Sequence, residues 1–356
     1  MKENRLRTVI NNMAPLGLSQ LIVTDPNSVF YLTGHSVNPG ERLYALLIKD
    51  DGSADLFVNQ LFPQPEVAGL ALHYHQDSDD NLAELAAGLR PGRLGVDKLW
   101  PARFLLTLLE KRPDLQPVVG SAPVDLARNY KDAEEIALMR RASAVNDATV
   151  GDAIAGVDPA LSERQMVGVV GNLHVRHGAD AATDQLICYG ANSAEPHHES
   201  DHTMLKPGDS VIFDIFTAVK RYWCDMTRTV FYRSVTEEQR KVYELVREAN
   251  AAGIAAVQPG SRMCDIDAAA RKVIADAGYG PYFTHRLGHG IGLDVHEPPD
   301  CSSANQGLAE PGMCFSVEPG VYLPGRFGVR IEDLVVVTET GVEVLNRFPK
   351  HLQVVE

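Results

Sequence analysis

Four carboxylates planted in apolar, strand-like runs constrain this chain more than any other feature, together with a histidine in a glycine-rich stretch. They are Asp214 in Ser210-Val-Ile-Phe-Asp-Ile-Phe-Thr217 and Asp225 in Trp223-Cys-Asp-Met-Thr-Arg-Thr229. His289 lies in His285-Arg-Leu-Gly-His-Gly-Ile-Gly292, Glu318 in Ser316-Val-Glu-Pro-Gly320 and Glu332 in Gly328-Val-Arg-Ile-Glu-Asp333. A single acid near a turn is normally solvated, but an unpaired charge inside a buried strand is costly. The fold must therefore bring these groups to a cation. One divalent ion would leave two of the four negative charges uncompensated, whereas two ions balance them. A hard, oxygen-rich donor set with one borderline nitrogen suits a dinuclear metallohydrolase with a bridging hydroxide.

The spacings predict how convergence is achieved. The runs around Asp214 and Asp225 are rich in β-branched and aromatic residues and meet at Ala218-Val219-Lys220. A fold-back between Val219 and Lys220 places 214 directly opposite 225, where side chains stand about 4.5–5.5 Å apart. Pro324-Gly325 is a turn dipeptide, and 325 is the midpoint of 318 and 332, so a second hairpin delivers a second acidic pair. Gly288, Gly290 and Gly292 do not form a nucleotide loop, because the Gly-x-Gly-x-x-Gly spacing is absent. They are expected to let the backbone approach metals and substrate closely.

The 356 residues suffice for two cores. Lys plus Arg total 33 against 47 Asp plus Glu, a formal net charge of −14 that argues against nucleic acid or an anionic membrane as partner. The five cysteines form no Cys-x-x-Cys pair, which favours free thiols in a reducing compartment. No apolar leader or membrane span is evident, so a cytoplasmic location is expected. Cys224 adjoins Asp225, but alternation turns it toward the core.

Short strands are expected at Leu18–Thr24, Leu43–Lys49, Ala54–Asn59 and Arg93–Asp97, with helices at Asn81–Arg90 and Ala102–Lys111. This is an α/β pattern with a mixed sheet. Three prolines and a capping box, Asp132-Ala-Glu-Glu135, mark a boundary in Pro113–Asp132, giving domains 1–125 and 126–356. Helices at Ala133–Ala155, Ser162–His177, Thr236–Val257 and Cys264–Ala277, interleaved with the hairpins, make the second domain α+β.

In their surrounding words, Asp214, Asp225, His289, Glu318 and Glu332 resemble the metal-ligand signature of the pita-bread metallopeptidases. That superfamily includes methionine aminopeptidase, aminopeptidase P, prolidase and the metal-free creatinase. The match covers roughly residues 130–350, and the preceding domain resembles the creatinase/prolidase branch. The resemblance implies a smaller α/β creatinase-type domain before a pita-bread catalytic domain, a fold that periodicity alone does not reveal. It implies two divalent ions, manganese by expectation, although such sites tolerate cobalt or zinc. It also implies a homodimer.

By the same resemblance Asp214 binds one ion, Asp225 and Glu332 bridge both, and His289 and Glu318 complete the other. Glu318 shuttles the proton of the attacking water, His197 contacts the scissile amide and His296 stabilises the oxyanion. His198 is the alternative to His197. His285 and Arg330 are expected to line the substrate side, with Arg330 also placed to orient an acidic ligand.

Prolidases often carry a basic residue shortly after the His-Glu pair, to grip the dipeptide carboxylate. Here His296-Glu297 leads to Asp300. Arg42, reaching a partner subunit's site, is the expected substitute, with Arg221 as the other candidate. The leading expectation is hydrolysis of Xaa-Pro dipeptides. The alternative is aminopeptidase P-like action on longer Xaa-Pro peptides. A silent binding protein or creatinase-like hydrolase should have lost metal ligands, and all five are present.

Overall fold

A computed structural model describes residues 1–183 and 185–356, which divide into two compact units, Met1–Arg128 and Asn129–Glu356. The first unit carries strands β1 (Gln20–Val23), β2 (Tyr44–Lys49), β3 (Ala54–Asn59), β4 (Ala71–His75), β5 (Gly92–Val96) and β6 (Leu115–Val119). They form one sheet in the order β4-β3-β2-β1-β5-β6. β1 and β3 flank β2 antiparallel, and the remaining pairs are parallel, so the sheet is mixed as expected. Helices α1 (Glu3–Met13), α2 (Pro26–Thr33), α3 (Ala83–Gly88), α4 (Ala102–Lys111) and α5 (Ala122–Asn129) accompany it. Its core gathers Ile22, Leu47, Phe57, Leu94 and Leu108.

The second unit contains four long helices, α6 (Ala133–Ala155), α7 (Glu163–His177), α8 (Glu237–Ala256) and α9 (Met263–Asp276). Reciprocal capping boxes start three of them: Asp132 with Glu135, Ser162 with Gln165, and Thr236 with Gln239. Each satisfies two amide donors that a helix start would otherwise leave bare. None of the described helices is long and apolar enough to cross a membrane.

The strands of this unit are β7 (Leu186–Tyr189), β8 (Ser210–Val219), β9 (Tyr222–Tyr232), β10 (Gly288–Gly290), β11 (Glu297–Cys301), β12 (Cys314–Val317), β13 (Gly320–Leu323), β14 (Phe327–Arg330), β15 (Asp333–Thr338), β16 (Gly341–Val344) and β17 (Val354–Val355). One sheet runs β17-β9-β8-β7, another β11-β10-β12-β15-β16, and β13-β14 stands as a separate hairpin. Alternation sorts their faces. Phe213, Ile215 and Met226 pack with Val150, Met166 and Val170 of the helices, which leaves Asp214, Phe216 and Asp225 on the other face. Val317, Val329 and Ile331 join Val246 and Ala270 in a second core, leaving Arg330 and Glu332 turned away from it.

The first hairpin corrects the expected register. Asp214 pairs with Thr227, and Phe216 with Asp225. The chain turns on Lys220 and Arg221, both left-handed at φ 49° and 71°. Such a turn usually takes Gly, Asn or Asp. Here the Asp180 carboxylate accepts both backbone N–H groups, at 2.8 Å from Lys220 and 2.7 Å from Arg221. A shift of two keeps side chains on the same face, so the two aspartates still share one. The second hairpin has the expected register. Gly320 pairs with Arg330 about Gly325, at φ 69°, and the same count sets 318 opposite 332.

The glycines near His289 also have a reason within the fold. A Cβ on Gly288 would run into the Ser316 carbonyl, and one on Gly290 into the carbonyls of Glu297 and Pro298. Both glycines serve close approach to neighbouring strands.

β8 is tied to the helices by a buried polar chain. Asn146 Nδ2 donates to the Ile215 carbonyl at 2.7 Å, and His174 Nε2 donates to Asn146 Oδ1 at 2.8 Å. His174 Nδ1 is buried without a partner, so a proton there has nowhere to bond. Burial, with His177 nearby, pushes the His174 pKa from 6.5 down to about 4. The unfolded chain therefore binds the extra proton more readily, and stability falls as pH drops from 6.5 towards 4. Between pH 7 and 5 this group alone accounts for about 2 kcal/mol. Urea unfolding of wild type and His174→Gln at both pH values checks this. The variant should lose about that much less on acidification, and equal losses would remove His174 from the account.

Candidate metal centre and substrate cavity

The five groups come from five places: Asp214 on β8, Asp225 on β9, His289 on β10, Glu318 after β12 and Glu332 after β14. All line one cavity of about 390 Å³, as do His197, His285, His296 and Arg330. Leu186, Pro196, Phe216 and Val295 supply apolar wall, and Arg286 is a further lining residue.

Hydrogen-bond directions show what the centre is prepared for. His289 Nδ1 faces the Gly290 carbonyl at 3.1 Å and must carry the proton. Its Nε2 lone pair then points at other acceptors, 3.5 Å from Glu318 Oε1 and 4.0 Å from Asp225 Oδ2. Asp225 Oδ1 and Glu332 Oε1 are buried with no hydrogen-bond partner. One donor atom each from Asp225, His289 and Glu332 lies within 4.8 Å of the others. Bare lone pairs aimed at one another are costly unless a cation takes them. The donor set thus fits divalent metal.

Charge gives the same answer. Asp225 is 5 % exposed and Glu332 2 %. Burial first, then the neighbouring acids, drives both carboxyl groups well above their usual range, and burial lifts Glu318 to about 7. Burial and the adjacent His296 lower His289 to about 3, which keeps it a neutral ligand. Four clustered carboxylates cannot all ionise here without added positive charge.

Asp214 stands slightly apart. Its Oδ2 accepts from Arg330 Nη2 at 2.6 Å. The rest of that guanidinium is also engaged: Nε with Thr227 Oγ1 at 3.1 Å, and Nη1 with the Tyr322 hydroxyl at 2.9 Å and the Pro196 carbonyl at 3.3 Å. Arg330, 3 % exposed, is therefore built to orient Asp214 rather than to reach for substrate. Burial opposes its charge, but Tyr322, Asp214 and Glu318 outweigh that and hold it protonated.

Tyr322 extends the network. His285 Nδ1 donates to the Arg286 carbonyl at 2.7 Å, so its Nε2 accepts from the Tyr322 hydroxyl at 2.8 Å. Burial and then Arg330 lower His285 to about 4, which keeps this tautomer neutral. Sequence reasoning passed over Tyr322, and its only signal was its place on the hairpin that carries Arg330. Thr227, which donates to Glu332 Oε2 at 2.8 Å, was readable from alternation with Asp225.

The histidine pair resolves by position. His197 lines the cavity, whereas His198 Nε2 bonds Glu163 Oε2 at 3.0 Å. Glu163, also unforeseen, accepts from the backbone N–H groups of Tyr189 and Asp201 and so pins the loop that presents His197. The ring of His296 lies 4.1 Å from that of His289, edge to face. Cys224 is fully buried in the core, on the face away from Asp225.

Two of the weighed positions, Arg221 and Asp300, lie outside the lining. Arg42 makes a bidentate pair with Asp77, at 2.8 and 2.9 Å, and a third contact with Glu41. Arg221 sits at the β8–β9 turn with its N–H on Asp180. The Asp300 carboxylate accepts from the Ser302 hydroxyl.

Residues 137–339 match metallopeptidase family M24, and residues 5–130 match the creatinase/prolidase N-terminal domain. The chain is 34% identical over 340 residues to an uncharacterized peptidase of Staphylococcus aureus, covering 92% of this chain and 94% of that one. It is similar to the crystal structure of a dipeptidase from Pyrococcus horikoshii, with TM-score 0.93, 31% identity, and 99% and 100% of the two chains covered. A recombinant prolidase from Thermococcus sibiricus aligns with TM-score 0.91 and 30% identity over 100% of this chain and 99% of that one. A creatinase-type unit thus precedes a pita-bread unit whose cavity gathers candidate donors for a divalent metal, and the chain belongs to metallopeptidase family M24.

Proposed function

We propose that this enzyme hydrolyses Xaa-Pro dipeptides. The observation that carries the reading is the convergence of the partnerless Asp225 and Glu332 oxygens and the His289 ring with His197 and His296 in one cavity walled by Leu186, Pro196, Phe216 and Val295. The apolar wall suits a pyrrolidine ring, and prolyl bonds need a fitted pocket because their amide lacks an N–H. The similar dipeptidase and prolidase structures support the same substrate class.

Asp214, Asp225, His289, Glu318 and Glu332 would hold two divalent ions, manganese by family resemblance with cobalt or zinc tolerated. Such ions acidify a water and polarise the scissile carbonyl. Glu318 takes the water's proton on its carboxylate and passes it to the departing prolyl nitrogen. His296 donates to the oxygen on which charge develops, and His197 holds the scissile amide. Arg330 and Tyr322 keep Asp214 and His285 in place. This reading treats residues 1–125 as the creatinase-type domain and 126–356 as the catalytic domain, in a cytoplasmic homodimer.

One observation favours aminopeptidase P-like action instead. A second cavity of about 540 Å³ shares Pro196, His197 and His285 with the first, leaving room for a longer chain. Steady-state hydrolysis of Ala-Pro beside Ala-Pro-Ala separates the two, using enzyme stripped with chelator and reloaded with manganese. The dipeptide should win by about tenfold or more in kcat/KM. Preference for the tripeptide would install the aminopeptidase reading, and no metal-dependent cleavage of either would sink both.

A further inference from the structure

An Xaa-Pro dipeptide carries a carboxylate next to the proline ring, and a cation in the cavity is needed to hold it. Among the described residues two arginines line that cavity, Arg330 and Arg286. Arg330 is buried, with Nε, Nη1 and Nη2 all bonded to protein groups. Lys131, whose Nζ is 2.7 Å from Glu297 Oε1, is 1 % exposed and equally committed. Arg42 is held by Asp77.

Arg286 differs in each respect. It is exposed, and among the described residues no carboxylate or carbonyl engages its guanidinium. Its backbone is nonetheless fixed from both sides. The Arg286 carbonyl accepts from His285, the His285 carbonyl accepts from Arg271 at 2.9 Å, and the Leu287 N–H donates to Asp267 at 3.1 Å. It lines the same cavity as His289, His296 and Glu318, the groups around the proposed reaction centre. A pinned backbone with an uncommitted cation at the cavity is an arrangement that binds a free carboxylate without first breaking another ion pair.

We propose that Arg286 binds the C-terminal carboxylate of the substrate and thereby selects dipeptides over longer peptides. The assignment rests on the peptidase reading above, and it explains how a chain with Asp300 after its His-Glu pair can still recognise a dipeptide.

The test compares Ala-Pro with Ala-Pro-amide, which lacks the charge, on manganese-loaded wild type, Arg286→Ala, Arg286→Lys and Arg42→Ala. The acid-to-amide ratio of kcat/KM should fall at least tenfold in Arg286→Ala, through KM rather than kcat, and recover in part in Arg286→Lys. An unchanged ratio in Arg286→Ala would overturn the assignment, as would a fall confined to Arg42→Ala. Calorimetric titration with L-proline and prolinamide reads the same contact without turnover. Wild type should favour proline at least tenfold, and Arg286→Ala should lose that preference. Should wild type cleave neither peptide, the peptidase reading falls, and the calorimetric contrast decides Arg286 by itself.

Discussion

Asp225→Asn should cut kcat/KM by at least about a thousandfold and, in the metal-free protein, raise the melting temperature. The two effects have opposite signs because the same group is a ligand in one state and, in the other, a buried carboxyl that folding must hold protonated at a cost. Asp225 is 5 % exposed, its Oδ1 has no hydrogen-bond partner, and Glu332, Asp214 and Glu318 all push against its charge. Without metal, an amide of the same shape removes one member of that repulsive cluster. A gain of about 1–2 kcal/mol, or a few degrees, is the expected scale. With metal, wild type should melt higher than its chelated form by more than the variant does. Melting curves with and without chelator for both proteins check this. A variant that melts lower than wild type when both are metal-free would mean that the carboxylate is satisfied in some other way.

The second large effect is structural. Gly288→Ala should destabilise the protein by about 3 kcal/mol or more and abolish hydrolysis. The new Cβ would occupy the space of the Ser316 carbonyl, so β10 and β12 would have to separate. Backbone cannot yield as a flexible side chain can, and overpacking at such a contact costs a few kcal/mol. His289 is the next residue, and its N–H bonds Ser316 Oγ at 2.9 Å. The same hydroxyl donates to Glu318 Oε1 at 3.1 Å. A single shift therefore displaces two proposed ligands. Gly168→Ala on α7, where a Cβ meets nothing within 4 Å, is the control and should be neutral or mildly stabilising. Urea unfolding of the pair decides the matter. Wild-type stability in Gly288→Ala would show that the strand separation is not fixed as described.

These contrasts bear on what could be read from the sequence. The proposed donors were legible because charge inside an apolar run needs a reason. The second hairpin's register was legible because Gly325 sits at the midpoint and adopts the left-handed backbone that glycine favours. The helices at α6, α7 and α8 were legible through their caps and periodicity. The first hairpin's register was not, because Lys220 and Arg221 carry no turn signature. Their backbone is held by Asp180, forty residues earlier in the chain. Helix α2, opened by an Asp25 cap and Pro26, did carry a local signature, whereas the edge strands β4 and β6 are half-exposed and weakly patterned. Tyr322, Glu163 and Arg286 matter only through what they face, and no local pattern states that. Arg330 shows the same limit. Alternation places it on the cavity side, but only the Asp214, Tyr322 and Thr227 contacts show that its donors are spent.

The central claim is that Asp214, Asp225, His289, Glu318 and Glu332 together hold two divalent ions. Elemental analysis of chelator-stripped protein, reloaded with manganese and freed of excess by gel filtration, measures it directly. Two manganese ions per wild-type chain and fewer than two per Asp225→Asn chain is the result predicted here. A wild-type chain that retains none, or a variant that retains as much as wild type, would contradict it.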